Sequence, residues 1–233
     1  MKPAEIEYVW STPEQCQHCS VRELVLFADL QRRDFDLIHF PIESIALKAD
    51  QTLYRERDPS RHVYTIRSGL IKLVRFLPDG KTRIVRLLQQ GDLAGIEALH
   101  QSFYLQNAVA LLDTEVCRIP VKDLEQLNRQ TPHLYRQLIA RWHKVQEDAD
   151  IWLAEFNIGN ARERLAKLLL YLTHSQKNDE FFLPTREDIG AILAITTETA
   201  SRIIAEFKRQ NYLQTYGQYA SIDLNLLTKS FRL

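Results

Sequence analysis

The sequence predicts an α+β protein: an antiparallel β-roll, then one long helix, then a C-terminal winged helix-turn-helix. Short alternating or apolar runs between turn residues fill the segment from Ile42 to Ile119, a pattern typical of antiparallel sheet. The next segment repeats apolar residues three and four positions apart, which indicates a long helix. Two capped helical stretches and a short hairpin pattern complete the chain.

Composition limits the function classes. The 233 residues are enough for two domains and a connector. The 30 Lys and Arg residues balance 30 Asp and Glu residues, which argues against indiscriminate nucleic-acid binding but leaves room for a local basic surface. We expect a cytoplasmic protein with no membrane partner, because no apolar run could span a bilayer and the N-terminus lacks a signal-peptide core. The sequence contains no phosphate-binding loop, serine-hydrolase elbow or zinc-protease helix, so we expect no enzyme.

The predicted β-roll covers residues 21–130 and follows an N-terminal tail, residues 1–20, that contains Cys16 and Cys19. Two short helices are expected over residues 21–27 and 31–38. Glycines at equal spacing and the turn Leu77-Pro-Asp-Gly80 separate strands in the roll. The predicted strands cover residues 63–66, 70–76, 82–87 and 108–112, with a further strand around Cys117.

The predicted long helix covers residues 131–158. Thr131 suits the N-cap and Pro132 the first helical position. Its apolar positions alternate strictly by three and four, as in a two-stranded coiled coil, so we expect a homodimer seam. Packing of this helix within its own domain is the alternative. The seam positions are Tyr135, Leu138, Trp142, Val145, Ala149, Trp152 and Phe156.

The last predicted domain, residues 159–233, has the spacing of a helix-turn-helix. Asn160 and Glu163 cap its first helix, predicted over residues 161–172. Thr185 and Thr196 then suit the N-caps of two successive helices, and Asp188 occupies a capping-box position. Residues 212–222 alternate and turn near Gly217, as a wing would. The expected inner face comprises Ile189, Ile192, Leu193, Ile203, Ile204 and Phe207.

The outer face of the second helix has chemistry suited to a DNA major groove. Glu198 can accept from cytosine N4, Arg202 can fork onto guanine O6 and N7, and Ser201 lets bases approach. The alternative is that Glu198 only complements the helix N-terminus and pairs with Arg202. We therefore predict double-stranded DNA as a partner. The residues expected to hold phosphates and set register are Arg186, Thr196 and Thr199, and Thr197 is a further candidate DNA contact.

Four segments in order resemble the CRP/FNR superfamily of bacterial transcription regulators: residues 66–72, 91–95, 160–166 and 185–190. The resemblance covers almost the whole chain and implies that the β-roll is a jelly roll like that of cyclic-nucleotide-binding proteins. Residues 197–202, Thr-Glu-Thr-Ala-Ser-Arg, are similar to the FNR branch, which implies a TTGAT half-site rather than GTGA.

The resemblance also bears on the signal that is sensed. Cyclic-nucleotide binders of the family carry a Gly-Glu pair and an Arg followed by Ser or Thr. Here the first pair is Gly95-Ile96, and residues 105–108, Leu-Gln-Asn-Ala, contain no Arg. A cyclic nucleotide would lack its counter-charge. We therefore do not expect cAMP to be the effector.

The three cysteines match three of the four positions that hold an iron–sulfur cluster in oxygen-sensing relatives of the family. Cys16 and Cys19 match the N-terminal pair and Cys117 the strand ligand, while Val25 stands at the remaining position. Because cluster ligation normally uses four thiolates, the set is incomplete. Zinc, haem, a Cys16–Cys19 disulfide and a purely structural Cys117 remain alternatives. A redox or gas signal is the expectation, against an effector in the β-roll or none.

The family resemblance gives the turn at residues 77–80 a further interpretation. An equivalent loop contacts RNA polymerase in the family, so Asp79 and Gly80 are candidate contacts. The alternative is an ordinary solvated hairpin turn.

Overall fold

The computed structural model describes residues 7–11, 42–176 and 180–231. The helices predicted over residues 21–38, and Cys16 and Cys19, lie outside this part of the chain. The chain divides into two compact units, Met1–Arg75 with Leu87–Gln146 and Phe76–Arg86 with Glu147–Leu233. Among the described helices, none has the length and apolar character needed to cross a membrane.

The first half of the chain is built on antiparallel strands. In chain order these are β1 (Glu7–Ser11), β2 (Ile42–Leu47), β3 (Thr52–Tyr54), β4 (His62–Ser68), β5 (Ile71–Phe76), β6 (Thr82–Leu88), β7 (Leu93–Ala94), β8 (Asn107–Ala110) and β9 (Thr114–Pro120). They form one sheet in the order β1-β2-β9-β4-β7 and a second in the order β3-β8-β5-β6. The predicted roll is thereby confirmed.

Both sheets supply the core of the roll. Ile45, Val116 and Ile66 lie in register on three neighbouring strands and are fully or almost fully buried, because alternate residues of a strand face the same side. The predicted tail over residues 1–20 needs a correction, since β1 lies inside it and pairs with β2. Strand pairing of this kind is non-local, and the isolated run from Glu7 to Ser11 gave no turn or hairpin signal.

Three helical segments follow or interrupt the sheets: a 3-10 turn over Ile96–Leu99, α1 (Val121–Gln130) and α2 (Pro132–Phe156). The prediction missed α1, which lies within the residues assigned to the roll. Pro132 opens α2 as predicted, but the buried hydroxyl of Thr131 makes no hydrogen bond within the described part of the chain. Lys144 on α2 pairs with Asp92 at 2.6 Å, which ties the turn before β7 to the long helix.

The second half contains α3 (Ala161–Gln176), β10 (Phe181–Phe182), α4 (Arg186–Leu193), α5 (Thr197–Arg209), β11 (Leu213–Tyr216), β12 (Tyr219–Ile222) and α6 (Leu224–Phe231). The order β10-β12-β11 makes a small antiparallel sheet behind the helices. Asn160 accepts from the Glu163 amide at 3.1 Å while Glu163 accepts from the Asn160 amide, so the predicted capping box exists. The helix runs four residues beyond its predicted end, and α6 was not predicted.

An aromatic cluster joins the end of α2 to α3. Trp152 and Phe156 meet edge to face with ring centroids 4.8 Å apart, and both rings meet Tyr171 at right angles. Phe156 is 1% exposed and Trp152 7%. The last turns of α2 therefore pack into the same hydrophobic core as α3.

Candidate nucleic-acid interface and sensor residues

Two N-caps fix the helix-turn-helix. Thr185 accepts a hydrogen bond from the Asp188 amide at 3.1 Å, and Thr196 accepts one from the Thr199 amide at 3.2 Å. Asp188 also accepts a hydrogen bond from the Thr185 hydroxyl at 2.8 Å. The whole predicted inner face is buried, so the local prediction of this motif is confirmed: Ile189, Ile192, Leu193, Ile203, Ile204 and Phe207.

The turn between α4 and α5 depends on residues that the pattern did not single out. A Cβ on Gly190 would lie 2.8 Å from the Ile195 carbonyl oxygen, so only glycine allows this approach. Ala194 takes φ 54° to reverse the chain. Arg164 on α3 donates to the Leu193 carbonyl at 2.7 Å and so satisfies the end of α4. The sequence feature that could have indicated this close approach is the isolated Gly190 within a helical pattern.

The structure places Glu198, Ser201 and Arg202 on one exposed face of α5, and Ala205 continues it. Within the described residues Arg202 forms no ion pair, with Glu198 or any other carboxylate. Its guanidinium is therefore available for a ligand. The ion pair that α5 does form lies elsewhere on the helix: Glu206 pairs with Arg162 at 2.8 Å and holds α5 against α3.

Glu198 is a carboxylate whose charge the helix itself supports. A hydrogen bond from its own backbone amide, and then one from the Thr196 hydroxyl, lower its pKa. The Glu198 carboxylate therefore does complement the N-terminus of α5, as the alternative interpretation expected. It does not form the ion pair with Arg202 that the same interpretation expected. A charged acceptor at this position suits an amino donor such as cytosine N4.

The candidate phosphate contacts lie at the starts of two helices, Arg186 at that of α4 and the three threonines at that of α5. Thr196 and Thr197 are exposed and Thr199 is half-buried, while Arg186 is half-buried on α4. Burial lowers the pKa of Arg186, but a guanidinium stays charged at neutral pH. Hydroxyls at a helix N-terminus, and an arginine cation, are groups that suit contact with a phosphate backbone.

The predicted wing is confirmed as the β11–β12 hairpin. Leu213 pairs with Ile222 and Tyr216 with Tyr219, and Gly217 turns the chain at φ 62°. Lys208 at the end of α5 donates to the Thr215 hydroxyl at 2.8 Å, which fixes the wing to α5, the helix expected to read the DNA.

The predicted seam on α2 divides into an exposed part and a buried part. Tyr135 is 56% exposed and Trp142 48%, and neighbouring Ile139 is 53% exposed. Leu138, Val145 and Ala149 are half-buried. Trp152 and Phe156 need a correction, because Tyr171 of the same chain already covers them. Heptad spacing cannot tell a seam residue from one that a later helix covers.

An apolar groove adjoins the exposed part of the seam. It has a volume of about 240 Å³ between α1 and the start of α2. Tyr135, Leu138, Ile139 and Trp142 form one wall, and the other wall comprises Leu99, Leu124, Glu125 and Asn128.

Aromatic side chains fill the region of the roll beside Gly95. The Tyr104 ring stacks on Tyr54 with centroids 3.9 Å apart, and a Cβ on Gly95 would lie 2.8 Å from the Tyr104 ring. Tyr104 donates to the His62 carbonyl at 2.8 Å. Ile96, which stands where cyclic-nucleotide binders carry Glu, is 5% exposed.

Cys117 is half-buried on β9 and lies in register with Ser44 on one side and Thr65 on the other. No group of three or more His, Cys, Asp or Glu side chains is placed to bind a metal within residues 7–11, 42–176 and 180–231. The two other candidate ligands fall outside those residues.

The turn at residues 77–80 closes by a hydrogen bond from the Gly80 amide to the Leu77 carbonyl at 2.9 Å. Lys81 pairs with Asp79 at 2.9 Å, and this hydrogen bond lowers the pKa of Asp79. A Cβ on Gly80 would meet nothing within 4 Å. Phe76 beside the turn is 65% exposed.

Comparison with known proteins adds family information to this geometry. A cyclic nucleotide-binding domain model matches residues 44–131, and a Crp-like helix-turn-helix domain model matches residues 163–229. The fumarate and nitrate reduction regulatory protein of Yersinia pestis is 33% identical over 218 residues, which cover 90% of this chain and 87% of that protein. The Escherichia coli K12 protein of the same name is 32% identical over the same length. The solved structure of FixK2 from Bradyrhizobium japonicum is 25% identical with a TM-score of 0.73, covering 81% of this chain and 96% of that one.

Proposed function

Because this chain belongs to the CRP/FNR family of DNA-binding transcription regulators, we propose that it reads an FNR-type palindrome as a homodimer under redox control in the cytoplasm. The observation that carries the DNA specificity is the exposed trio Glu198, Ser201 and Arg202 on a helix fixed by its N-cap. Arg202 forks onto guanine, Glu198 accepts from cytosine, and Ser201 leaves room for thymine methyl groups. Arg186, Thr196, Thr197 and Thr199 hold the flanking phosphates.

Selection of bound sites from random duplex DNA tests this assignment. We expect two TTGAT-type half-sites about one helical turn apart. Recovery of GTGA half-sites would show that the chain does not have the FNR-type specificity proposed here. Recovery of single half-sites would argue against a symmetric dimer.

The dimer surface is the exposed stripe of α2. On a regular helix Tyr135, Trp142, Ala149 and Leu153 lie within roughly 40° of one another, and Ile139 borders them. Leu153 is 63% exposed, so the stripe continues past the buried pair Trp152 and Phe156. A second copy would cover these side chains and the adjoining groove, which otherwise present a large apolar surface to water.

Trp142→Asp tests the stripe, with Ile151→Asp as its matched control. Ile151 is 47% exposed but lies on the opposite face of the same helix, roughly 180° from Trp142. Sedimentation should show monomer for the Trp142 variant and dimer for the Ile151 variant. Equal behaviour of the two variants would rule out this face as the interface.

Redox sensing is supported by Cys117 and by how far the N-terminal segment can reach. Ser11 pairs with Ile42, and Cys117 pairs with Ser44 on the next strand. Ser11 and Cys117 are therefore about 12 Å apart at ordinary strand spacing. Cys16 follows Ser11 by five residues, which span up to ~17 Å, so its thiol can approach that of Cys117.

Three thiolates from Cys16, Cys19 and Cys117 would hold a cluster only with a fourth ligand that is not Cys. Such a cluster would respond to oxidants or gases and release the N-terminal segment from β9. A cyclic nucleotide is disfavoured, because Ile96 is apolar and buried and Tyr104 packs on Gly95.

Iron and sulfide analysis of protein purified without oxygen tests the cluster, together with single Ser variants of the three Cys. We expect bound iron in the parent and loss of oxygen-dependent DNA binding in each variant. Iron-free protein whose variants regulate normally would refute the cluster and leave an effector in the roll, or none.

Asp79 and Gly80 are the proposed contact with RNA polymerase, because the turn is exposed. Asp79→Ala should reduce activated transcription while DNA affinity stays unchanged. Equal loss of activated transcription and of DNA affinity would mean that the turn acts only in folding.

A further inference from the structure

A row of three small polar side chains crosses the first sheet at Cys117. Ser44 on β2 and Thr65 on β4 pair with Cys117 on β9 from its two sides, so the three side chains project from the same face of the sheet. The Cβ atoms of residues paired in this way are about 4.5–5.5 Å apart. The Cys117 thiol therefore lies between two hydroxyl groups, and it is only half-buried, so a small reagent can reach it.

The hydroxyl of Thr65 is buried without a hydrogen bond. Thr65 is 1% exposed, and its Oγ1 atom has no hydrogen-bond partner within the described part of the chain. A buried hydroxyl in this state costs free energy, because it has lost its water without gaining an acceptor. An oxygen atom bonded to the Cys117 sulfur would lie beside this hydroxyl and supply the acceptor that it lacks.

An arginine side chain crosses β9 on the same face. Arg67 on β4 donates from Nη1 to the Ser44 hydroxyl at 3.2 Å, and β9 lies between the strands that carry these two residues. The same Nη1 is 3.9 Å from a carboxylate oxygen of Glu115, which lies on the Cys117 face of β9. Among the described residues, both contacts use Nη1 and leave the donors on Nη2 and Nε for another oxygen.

We propose that hydroperoxides oxidise Cys117 to a sulfenate, which the Thr65 hydroxyl and the Arg67 guanidinium then hold. The proposal rests on the proposed redox control of this chain but not on a cluster. A cation beside a cysteine favours the thiolate, which is the form that peroxides oxidise. The thiolate attacks one peroxide oxygen: an S–O bond forms, the O–O bond breaks, and the hydroxide that leaves takes the sulfenic proton and becomes water. Sulfur loses the two electrons that the peroxide gains.

The row gives this oxidation a route to the long helix within the same compact unit. Leu93 on β7 pairs with Thr65, and the preceding residue, Asp92, binds Lys144 of α2 at 2.6 Å. The Ile66 amide also donates to the Asp92 carbonyl at 3.0 Å. A sulfenate that holds Thr65 would tighten the strand pair on which this contact with α2 depends. Amides of β4 and β7 should therefore exchange more slowly after oxidation.

The test uses the full chain with Cys16→Ser and Cys19→Ser, so that Cys117 is the only thiol. The protein is treated with hydrogen peroxide, and dimedone, which adds to sulfenic acids, is introduced together with denaturant at set times. The mass of the Cys117 peptide then reports thiol, sulfenate and sulfinate. We expect a sulfenate that accumulates before any sulfinate forms. Because the variant lacks two of the three thiolates proposed for the cluster, this result is independent of whether the parent binds iron.

Thr65→Val and Thr65→Ser isolate the hydroxyl. Thr65→Val removes a buried donor that has no acceptor, so the thermal midpoint of the reduced protein should not fall. Its trapped sulfenate should be roughly tenfold lower or less, since a hydrogen bond to a charged group is lost. Thr65→Ser keeps the hydroxyl and should restore the sulfenate. Thr82→Val, the same change at an exposed position on β6, is the matched control and should leave it unchanged.

Arg67→Met should slow the loss of the thiol in peroxide, and Arg67→Lys, which keeps the charge, should restore part of the rate. The proposal is wrong if peroxide gives no dimedone adduct at Cys117, or if Thr65→Val and Thr65→Ser accumulate equal amounts of sulfenate. It is also wrong if Thr82→Val lowers the sulfenate as much as Thr65→Val does.

Discussion

Gly190 sets the angle between the two helices of the DNA-reading motif, and Gly190→Ala should disturb it. The added Cβ would lie 2.8 Å from the Ile195 carbonyl oxygen. Optimal carbon contacts are about 3.5–4.0 Å, so the turn must shift. The shift also weakens the 3.1 Å hydrogen bond from the Ile195 amide to the Gly190 carbonyl.

Opposing effects decide the sign of the change. Ala gains about 0.5–1 kcal/mol over Gly inside a helix. Overpacking costs about 1–3 kcal/mol, and a weakened hydrogen bond costs about 0.5–1.5 kcal/mol more. The net loss is about 2 kcal/mol, because the steric cost exceeds the gain in helix propensity.

Hydrogen exchange of the full chain measures this locally, and fluorescence anisotropy measures DNA affinity. Amides of α4 and α5 should lose protection by roughly thirtyfold, and DNA binding should weaken because the recognition helix is tilted. Ala194→Gly is the control in the same turn. Ala194 has φ 54°, so glycine there should be neutral or stabilising by up to about 1 kcal/mol. A Gly190→Ala protein with the exchange and affinity of the parent would refute this account of the turn.

Three further predictions concern single side chains. Arg202→Ala should weaken binding to the selected palindrome by about 1–3 kcal/mol and relax choice at one base pair, whereas loss of affinity with unchanged base preference would indicate a phosphate contact. The pKa of Glu198 is lowered from 4.5, so the stability that its carboxylate adds to α5 is present above that pH and is lost as falling pH protonates the folded protein. Glu198→Gln should remove this acid-dependent loss of hydrogen-exchange protection in α5, and an unchanged dependence of that protection on pH would contradict the prediction. Phe156→Ala should destabilise the second unit by about 3–5 kcal/mol, while Ile158→Ala, at a position 64% exposed, should change stability little; equal effects would contradict the aromatic core.

Features determined by local sequence were predictable. The caps at Thr185 and Thr196 and the inner face of the helix-turn-helix follow from side chains within a few residues of one another. The exposure of Glu198, Ser201 and Arg202 follows from the same period. For this reason the candidate DNA-reading face could be derived before any tertiary structure was known.

Features that depend on distant residues were not predictable. Trp152 and Phe156 fit the heptad pattern, yet Tyr171 on the following helix covers them. The pairing of β1 with β2 joins segments far apart in the chain. No periodicity within one segment reports such contacts, because they arise only when the chain is folded.

The aromatic cluster of Trp152, Phe156 and Tyr171 determines where the DNA-reading part can be separated as an autonomous fragment. The break at residues 157–160 looks like a natural linker, but a fragment starting there would leave Tyr171 uncovered and Lys167 without its 2.8 Å partner Glu155. The compact unit itself includes the helix from Glu147. An expression fragment should therefore begin near that residue, and it would carry the last turns of the long helix as part of its own core.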